Sequence, residues 1–201
     1  QTPLKFTNAV TTVTYGQTLQ LTLKGGSGDG AVTYKTTDIG GTVTVDEKGR
    51  LTATRAGDVR IVATKDGKEM YENTTATLDI TVTKAPLAIK VLDKQIYVGD
   101  AVPDLKNPQV GTHYTVTGLV KAEDLQSPAV MKYQQNGSEV KPDTSKPGSY
   151  VITLTGLTTA TPNGPNRTHD NYERKIEFGK LTILEKPSSG GSSSSGGGSG
   201  K

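Results

Sequence analysis

The sequence predicts an all-β fold made of β-sandwiches. Threonine is unusually frequent, above all before Lys84, and its branched Cβ favours a strand over a helix. Apolar residues alternate with polar ones in short runs, which is the pattern of strands that bury one face. Gly and Pro separate these runs at intervals of about ten residues, a spacing typical of sandwiches and barrels.

The first predicted domain covers residues 1–84 and contains six or seven short strands. Each run places apolar side chains on one face and Thr, Lys or Asp on the other. Gly-rich turn signals, such as 25–30 and 66–67, separate the runs. The alternating residues are Leu19, Leu21 and Leu23, then Val32 and Tyr34, Val43 and Val45, Val59, Ile61 and Ala63, and last Ala76, Leu78, Ile80 and Val82.

The second predicted domain covers residues 85–187. Its alternation slips by one position at Gly179, which predicts a bulge or a kink. The range 158–170, rich in Thr, Pro, Asn and Gly, predicts a long loop. The alternating residues are Leu87, Ile89 and Val91, then Tyr114, Val116 and Val120, Met131 and Tyr133, Tyr150, Ile152 and Leu154, and last Ile176, Phe178, Leu181 and Ile183.

Both predicted domains carry the same landmarks, which indicates a divergent tandem repeat. A Tyr-Gly signal stands near each start, at Tyr15-Gly16 and at Tyr97-Val98-Gly99. A Tyr beside a turn, Tyr71 and Tyr172, precedes each last strand, and such corner tyrosines of sandwiches bond the backbone through their hydroxyls. The joint at Lys84-Ala85-Pro86 has almost no linker, which predicts domains that meet end to end with limited freedom.

Composition and charge exclude several classes of function. The net charge of +3 is spread evenly, without the Lys/Arg cluster that nucleic-acid binding requires. The chain has no cysteine, and therefore neither disulfides nor Cys-based zinc sites. No apolar run approaches the ~18 residues of a membrane span. The Ser/Gly-rich range 188–201 predicts a disordered, flexible tail, and Gln1 in place of an initiator Met indicates a piece of a longer protein.

Both domains resemble modules of bacterial surface proteins. The first is similar to bacterial Ig-like domains of the Big type, in the segments 14–18, 25–28, 43–53 and 56–59. The second resembles the MBG-type repeat that often follows such domains, in the segments 85–87, 98–103, 114–119, 148–150, 171–172 and 179–183. It departs from that family in the long 158–170 loop and in Val98, which separates a Tyr and a Gly. The resemblance implies two tandem immunoglobulin-like sandwiches that serve as extracellular spacers or adhesive arms, and it supplies no catalytic residues.

No catalytic site, metal site or cofactor is predicted. The two histidines, His113 and His169, lack the ligands or the nucleophile motif that a zinc site or a triad needs. The glycines of 25–30 are not followed by the Lys of a phosphate-binding loop, and they predict an ordinary turn between strands. Aspartates are scattered singly in turns, short of the roughly six to eight oxygens that calcium takes. A calcium ion between the domains stays an open alternative.

The aromatic residues, and Lys90 with Asn171, favour a structural role over sugar binding or a covalent crosslink. There is no Trp, and sugar binding by stacking requires exposed aromatic faces. Lys90 and Asn171 have the residue types of an isopeptide crosslink, but a solvated Lys and an Asn in a turn are the simpler interpretation. Four tyrosines lie in strand alternation and are predicted to be in the core, namely Tyr34, Tyr114, Tyr133 and Tyr150.

The sequence therefore favours a non-catalytic, monomeric spacer of a bacterial cell-surface or secreted protein, with no nucleic-acid partner and no membrane insertion in this segment. The alternative is a module that binds a glycan or an extracellular host protein. Its site would lie on the 158–170 loop, because binding surfaces concentrate on loops held by rigid scaffolds. The candidate binding residues are Asn163, Asn166, Arg167, His169 and Asp170.

Overall fold

A computed structural model describes residues 1–38, 41–122, 125–126, 128–159 and 171–188 of the chain. Over these ranges the backbone consists of short β-strands joined by turns. The all-β sandwich class predicted from the sequence is therefore confirmed. Strands that end by Thr83 pair only with one another, and strands from Ala85 onward do the same. This pairing divides the described chain into a first unit and a second unit.

The first unit has nine described strands, more than the six or seven predicted. The predicted run through Leu21 is split, because the side chain of Asn8 takes the place of a strand partner. Asn8 Nδ2 donates to the carbonyl of Gln20 at 2.8 Å, and Asn8 Oδ1 accepts from Thr22 N at 2.9 Å. The strands are β1 (Lys5–Phe6), β2 (Thr12–Thr14), β3 (Thr18–Gln20), β4 (Leu23–Lys24), β5 (Val32–Thr36), β6 (Val43–Val45), β7 (Arg50–Ala53), β8 (Gly57–Lys65) and β9 (Thr74–Thr83), with a 3₁₀ turn at Lys68–Met70.

Two sheets enclose the core of the first unit. Their strand orders are β2-β9-β8-β5 and β3-β7-β6, and the pair β1-β4 lies beside them. The long antiparallel pair of β8 and β9 sets Val59 opposite Ile80. Inward side chains of both sheets are buried together, among them Val13, Val43, Leu51, Ile61 and Val82. Alternation therefore puts one face of β2, β6, β7, β8 and β9 in the core, as the sequence predicts. The residues of β1, β3, β4 and β5 are at most half-buried.

The second unit has ten described strands. They form sheets with the orders β12-β10-β18 and β11-β19-β16-β14-β15, and a short pair, β13-β17. The core includes Leu87, Ile89, Ile152, Leu154 and Leu181, all at most 1% exposed. The strands are β10 (Ala85–Val91), β11 (Lys94–Tyr97), β12 (Tyr114–Thr117), β13 (Leu125–Gln126), β14 (Val130–Gln135), β15 (Ser138–Glu139), β16 (Gly148–Thr155), β17 (Thr158–Thr159), β18 (Tyr172–Glu177) and β19 (Gly179–Leu184).

The kink predicted at Gly179 is the point where the chain changes sheets. β18 ends at Glu177 beside β10, and β19 begins at Gly179 between β11 and β16. A Cβ on Gly179 would lie 2.8 Å from Val91 Cγ1, so only glycine fits the crossing. The prediction that Ile176 and Phe178 face the core is wrong. They are 40% and 51% exposed, because β18 is an edge strand and Phe178 lies in the crossing itself.

Two further expectations for the second unit need correction. Val120 was expected to continue a strand, but β12 ends at Thr117 and Val120 is 38% exposed. The predicted 158–170 loop begins with a strand instead, since Thr158 and Thr159 pair with Gln126 and Leu125. Two adjacent β-branched residues suit an extended backbone, which a compositional prediction of a loop overlooks.

Candidate functional site at the junction of the two units

The two units meet at a pair of tyrosines. Tyr15, which follows β2, and Tyr172, which begins β18, have ring centroids 5.4 Å apart and ring planes at 86°. This edge-to-face geometry sets the positive edge of one ring against the negative face of the other and contributes about 0.5–1.5 kcal/mol beyond burial. Tyr15 is 4% exposed and Tyr172 is 1% exposed. Only Lys84 separates β9 from β10, and one buried apolar cluster continues from the first unit into the second.

The corner-tyrosine prediction holds for one residue of the two. The hydroxyl of Tyr172 accepts a hydrogen bond from the main-chain N–H of Val120 at 3.0 Å, which confirms that it bonds the backbone. The same prediction for Tyr71 is wrong. Tyr71 is 44% exposed, and within the described ranges its hydroxyl has no hydrogen bond to the backbone. It lies at the end of the first unit that no second unit covers.

Asn171 holds both units through its two oxygens. Its side chain is 1% exposed, and Oδ1 accepts the N–H of Ala56, in the first unit, at 2.9 Å. Its main-chain carbonyl accepts the N–H of Ala85, the first residue of β10, at 2.9 Å. Only the bond from Ala56 crosses between the units, and because a buried N–H without an acceptor is costly, that bond helps to fix how the units meet. The sequence places Asn171 in a turn but gives no signal of its partner across the joint.

A close backbone approach completes the junction. Gly16 has φ +85°, the left-handed region that glycine tolerates best. A Cβ built on Gly16 would lie 2.4 Å from Cγ1 of Val120 in the second unit. Any larger residue at Gly16 would therefore meet Val120 and push the two units apart.

The turn at Thr14–Gln17 has the same hydrogen bonds as the turn at Tyr97–Asp100 in the second unit. In both, the third residue is a glycine with φ near +85°. In both, the fourth side chain accepts from the first main-chain N–H, at 3.1 and 2.9 Å. The other three bonds of the first turn run from Tyr15 N to Thr83 O, from Gly16 N to Ala53 O and from Gln17 N to Thr14 O. The corresponding bonds of the second turn run from Val98 N to Leu184 O, from Gly99 N to Thr144 O and from Asp100 N to Tyr97 O, and all six measure 2.8–2.9 Å.

Each unit pairs early strands in parallel with late ones, and we call these strand pairs the parallel ladders. In the first unit β2 lies parallel to β9 over three residue pairs. In the second, β10 lies parallel to β18 over six pairs, and β11 lies parallel to β19 over four. A pull on the two ends of such a unit slides parallel neighbours in opposite directions, which loads their hydrogen bonds together rather than one after another. This arrangement suits a segment under tension.

The binding residues predicted on the 158–170 loop, from Asn163 to Asp170, lie outside the described residues and stay a prediction, as does the tail at 189–201. The Lys90–Asn171 crosslink is contradicted by the register. Lys90 pairs with Glu177 at the far end of β18 and lies 3.3 Å from its carboxylate. Asn171 precedes the near end of that strand and bonds the first unit instead.

Several polar side chains accept hydrogen bonds from main-chain N–H groups of nearby residues. Asp46 Oδ1 accepts from two main-chain N–H groups of its own turn, at 2.8 and 2.9 Å, as predicted for aspartates in turns. His113 Nδ1 accepts from Gln109 N at 3.2 Å. The glycines of 25–30 connect β4 to β5, as predicted. Within the described ranges no three His, Asp or Glu side chains are placed to hold a metal ion, and no helix has the length and apolar character to cross a membrane.

The core tyrosines follow the prediction with one exception. Tyr114, Tyr133 and Tyr150 are at most 8% exposed, whereas Tyr34 is half-buried. The hydroxyl of Tyr133 donates to the carbonyl of Pro103 at 2.7 Å. Burial, with a smaller contribution from the charge of Asp104, raises the pKa of Tyr133 to about 12.

No protein-family model and no curated protein matches the chain. Solved structures resemble it weakly. Drosophila N-cadherin EC1-4 is 11% identical with a TM-score of 0.33, covering 92% of this chain and 51% of that one. An endo-fucoidan hydrolase of glycoside hydrolase family 107 is 13% identical with a TM-score of 0.31, covering 93% and 28%. A SusE-like surface located polysaccharide binding protein from the Bacteroides thetaiotaomicron heparin utilisation locus is 13% identical with a TM-score of 0.26, covering 90% and 33%. This chain thus spans about half of the cadherin chain and about a third or less of the other two, and TM-scores this low carry no information about its ligands.

Proposed function

We propose that the chain is a non-catalytic spacer of a bacterial cell-surface or secreted protein, a Big-type domain followed by an MBG-type repeat. It acts outside the cell and holds other domains at a distance. The observation that carries this proposal is the closed junction, where Asn171 and Tyr172 are each 1% exposed and bonded across or beside the joint. Linked domains move relative to each other by default unless their interface is large and hydrophobic, and here Tyr15 and Tyr172 are buried at the joint within an apolar cluster that runs through both units.

The junction stiffens the molecule in two ways. A bend would separate the rings of Tyr15 and Tyr172 and expose their apolar area to water. It would also break the bond from Ala56 N to Asn171 Oδ1 and leave both groups without a partner until water entered. The parallel ladders then carry tension from one end of each unit to the other.

Stiffness is tested by a distance measurement between the units. The chain has no cysteine, so the exposed residues Lys35 and Ser149 can be changed to Cys and labelled with nitroxides without background. Pulsed electron spin resonance should give one narrow distance distribution. Tyr172→Ala should broaden it by about twofold, because an opened interface lets linked domains reorient.

Tyr150→Ala is the matched control. Tyr150 is also buried, and its hydroxyl also accepts a backbone N–H, from Asp143 at 2.9 Å, but it lies inside the second unit. We expect this variant to lose stability and to keep the narrow distribution. If Tyr172→Ala fails to fold, Tyr15→Ala opens the same contact from the first unit. A wild-type distribution as broad as that of the variants would rule out a stiff spacer.

A further inference from the structure

The face of the second unit that meets the first has a counterpart at the free end of the first unit. Each unit begins with a Pro-Leu pair whose leucine is buried, Leu4 at 6% and Leu87 at 1% exposed. Each has a tyrosine at or just before a late strand: Tyr71 lies three residues before β9, and Tyr172 is the first residue of β18. The start of each unit also donates a hydrogen bond to a carbonyl near the tyrosine, from the side chain of Gln1 to Glu72 O and from the main-chain N–H of Ala85 to Asn171 O.

The corresponding positions at the tip of the first unit are uncovered. Met70 is 83% exposed and Tyr71 is 44% exposed, whereas the matching positions of the second unit, Asn171 and Tyr172, are each 1% exposed. Met70 is the most exposed large apolar side chain among the described residues, and the charged residues Lys68, Glu69 and Glu72 adjoin the Met70-Tyr71 pair in the sequence. We call this surface, formed by Gln1, Glu72 and the 66–71 turn, the free end face.

The free end face is held in shape before any partner arrives. Asp66 Oδ1 accepts Lys68 N at 2.9 Å, and Asn73 Oδ1 accepts Gly67 N at 3.1 Å. A Cβ on Gly67 would lie 2.1 Å from the carbonyl of Tyr71, so the turn closes tightly on itself. A preorganised turn loses little entropy on docking.

We propose that the free end face docks against the end of another sandwich unit that is linked in the same polypeptide and presents an aromatic-glycine turn like Tyr15-Gly16. This inference rests on the proposed spacer function and extends it, because the same contact would repeat along an array. In the existing junction that turn supplies the ring that packs against Tyr172 and the glycine that lets the next unit approach.

The occupant is a linked unit rather than a second copy of this chain. The comparable free turn of a second copy is Val98-Gly99, where valine replaces the aromatic residue. The ion pair of Lys186 and Asp100, at 3.8 Å, lies beside it, with Lys186 Nζ 4.0 Å from the Cβ position of Gly99. Seating Met70 on this turn would remove those charges from water, which is costly.

The test repeats residues 1–83 once ahead of Gln1 in the full chain, so that Thr83 is followed by Gln1-Thr2-Pro3 as it is now followed by Lys84-Ala85-Pro86. The chain has no Trp, and Tyr71→Trp in the downstream copy makes this position the single indole reporter. Docking should shift its emission to the blue and lower its acrylamide quenching constant by roughly half relative to the same substitution in the unextended chain, because the core of an interface is closed to solvent.

The matched control is Tyr15→Ala in the added copy, which removes the ring that faces the reporter and should restore full quenching. Met70→Trp gives a second reporter if Tyr71→Trp disturbs the turn. Equal quenching in the extended and unextended chains overturns the inference. Concentration-dependent burial of the reporter in the unextended chain, with dimers in analytical ultracentrifugation, also overturns it in favour of a second copy. Neither result depends on the nitroxide distances, so the spacer proposal and this inference can fail separately.

Discussion

Asn171 is a single residue on which the relation between the two units depends. Its side-chain oxygen is the acceptor for Ala56 N–H in a buried setting. We expect Asn171→Ala to lower the free energy of unfolding by about 1–3 kcal/mol, the cost of a buried donor left without its acceptor. Urea denaturation followed by circular dichroism measures this loss.

Asn73→Ala is the comparison for that change. Asn73 Oδ1 also accepts a backbone N–H, from Gly67, but Asn73 is exposed and the bond is only partly buried, so water reaches it more easily than it reaches Asn171. We expect a loss below about 0.5 kcal/mol, the usual range for surface substitutions. Equal losses in the two variants would mean that the bond across the joint contributes nothing particular to stability.

Tyr133 gives the molecule a pH dependence at alkaline pH. Burial, and then the charge of Asp104, raise its pKa to about 12 in the folded state, above its ordinary value of 10.0. The folded state therefore prefers the protonated phenol. The stabilisation from this residue is fully present below pH 10 and is lost as the pH rises towards about 12.

We expect Tyr133→Phe to flatten that decline. The variant also loses the hydrogen bond to Pro103 O, which costs about 1 kcal/mol at neutral pH. The measurement is the difference in unfolding free energy between wild type and Tyr133→Phe from pH 9 to 12, which subtracts the other tyrosines. A difference that stays constant over this range would contradict the assigned pKa.

At the scale of elements, the sequence predicts those strands well whose two faces differ. β10 alternates fully, with Leu87, Ile89 and Val91 buried and the residues between them exposed. The same alternation does not predict burial in β18, because this strand lies at the edge of its sheet and every residue after Tyr172 is exposed. An apolar residue such as Ile176 then follows the alternation without being buried. Pattern alone carries no information about which strand lies at an edge.

The crossing from β18 to β19 depends on the absence of a side chain at Gly179. A Cβ there would lie 2.8 Å from Val91 Cγ1 and 2.9 Å from the carbonyl of Leu92. We expect Gly179→Ala to lower the free energy of unfolding by about 1–3 kcal/mol, the usual cost of overpacking a core. Gly148 also begins a strand, and its Cβ would meet only the ring of Tyr150 at 3.6 Å. Gly148→Ala should be neutral or slightly stabilising. Thermal denaturation of the two variants measures the difference, and equal stability of Gly179→Ala and Gly148→Ala would contradict the steric role of Gly179.

For the whole molecule, the repeated landmarks of the sequence place Tyr15, Gly16 and Tyr172 correctly at the ends of units. They do not reveal that Tyr172 is covered and Tyr71 is not, because that difference depends on the order of the units and not on local sequence. The bond from Ala56 to Asn171 links positions 115 residues apart, and no periodicity reaches across that separation. The junction therefore becomes visible only once both sandwiches are built and joined through Lys84.

The parallel ladders predict the order in which the units fail under force. The ladder of β2 and β9 has three residue pairs, whereas the second unit has six pairs between β10 and β18 and four between β11 and β19. Because bonds loaded in shear resist together, the first unit should unfold at the lower force. Pulling the full chain by its ends should give contour-length gains of roughly 30 nm and then roughly 36 nm, from ~3.6 Å per residue.

Val98→Pro removes the bond from Val98 N to Leu184 O and should lower only the force of the longer step. The longer step preceding the shorter one in wild type would contradict this account of the ladders.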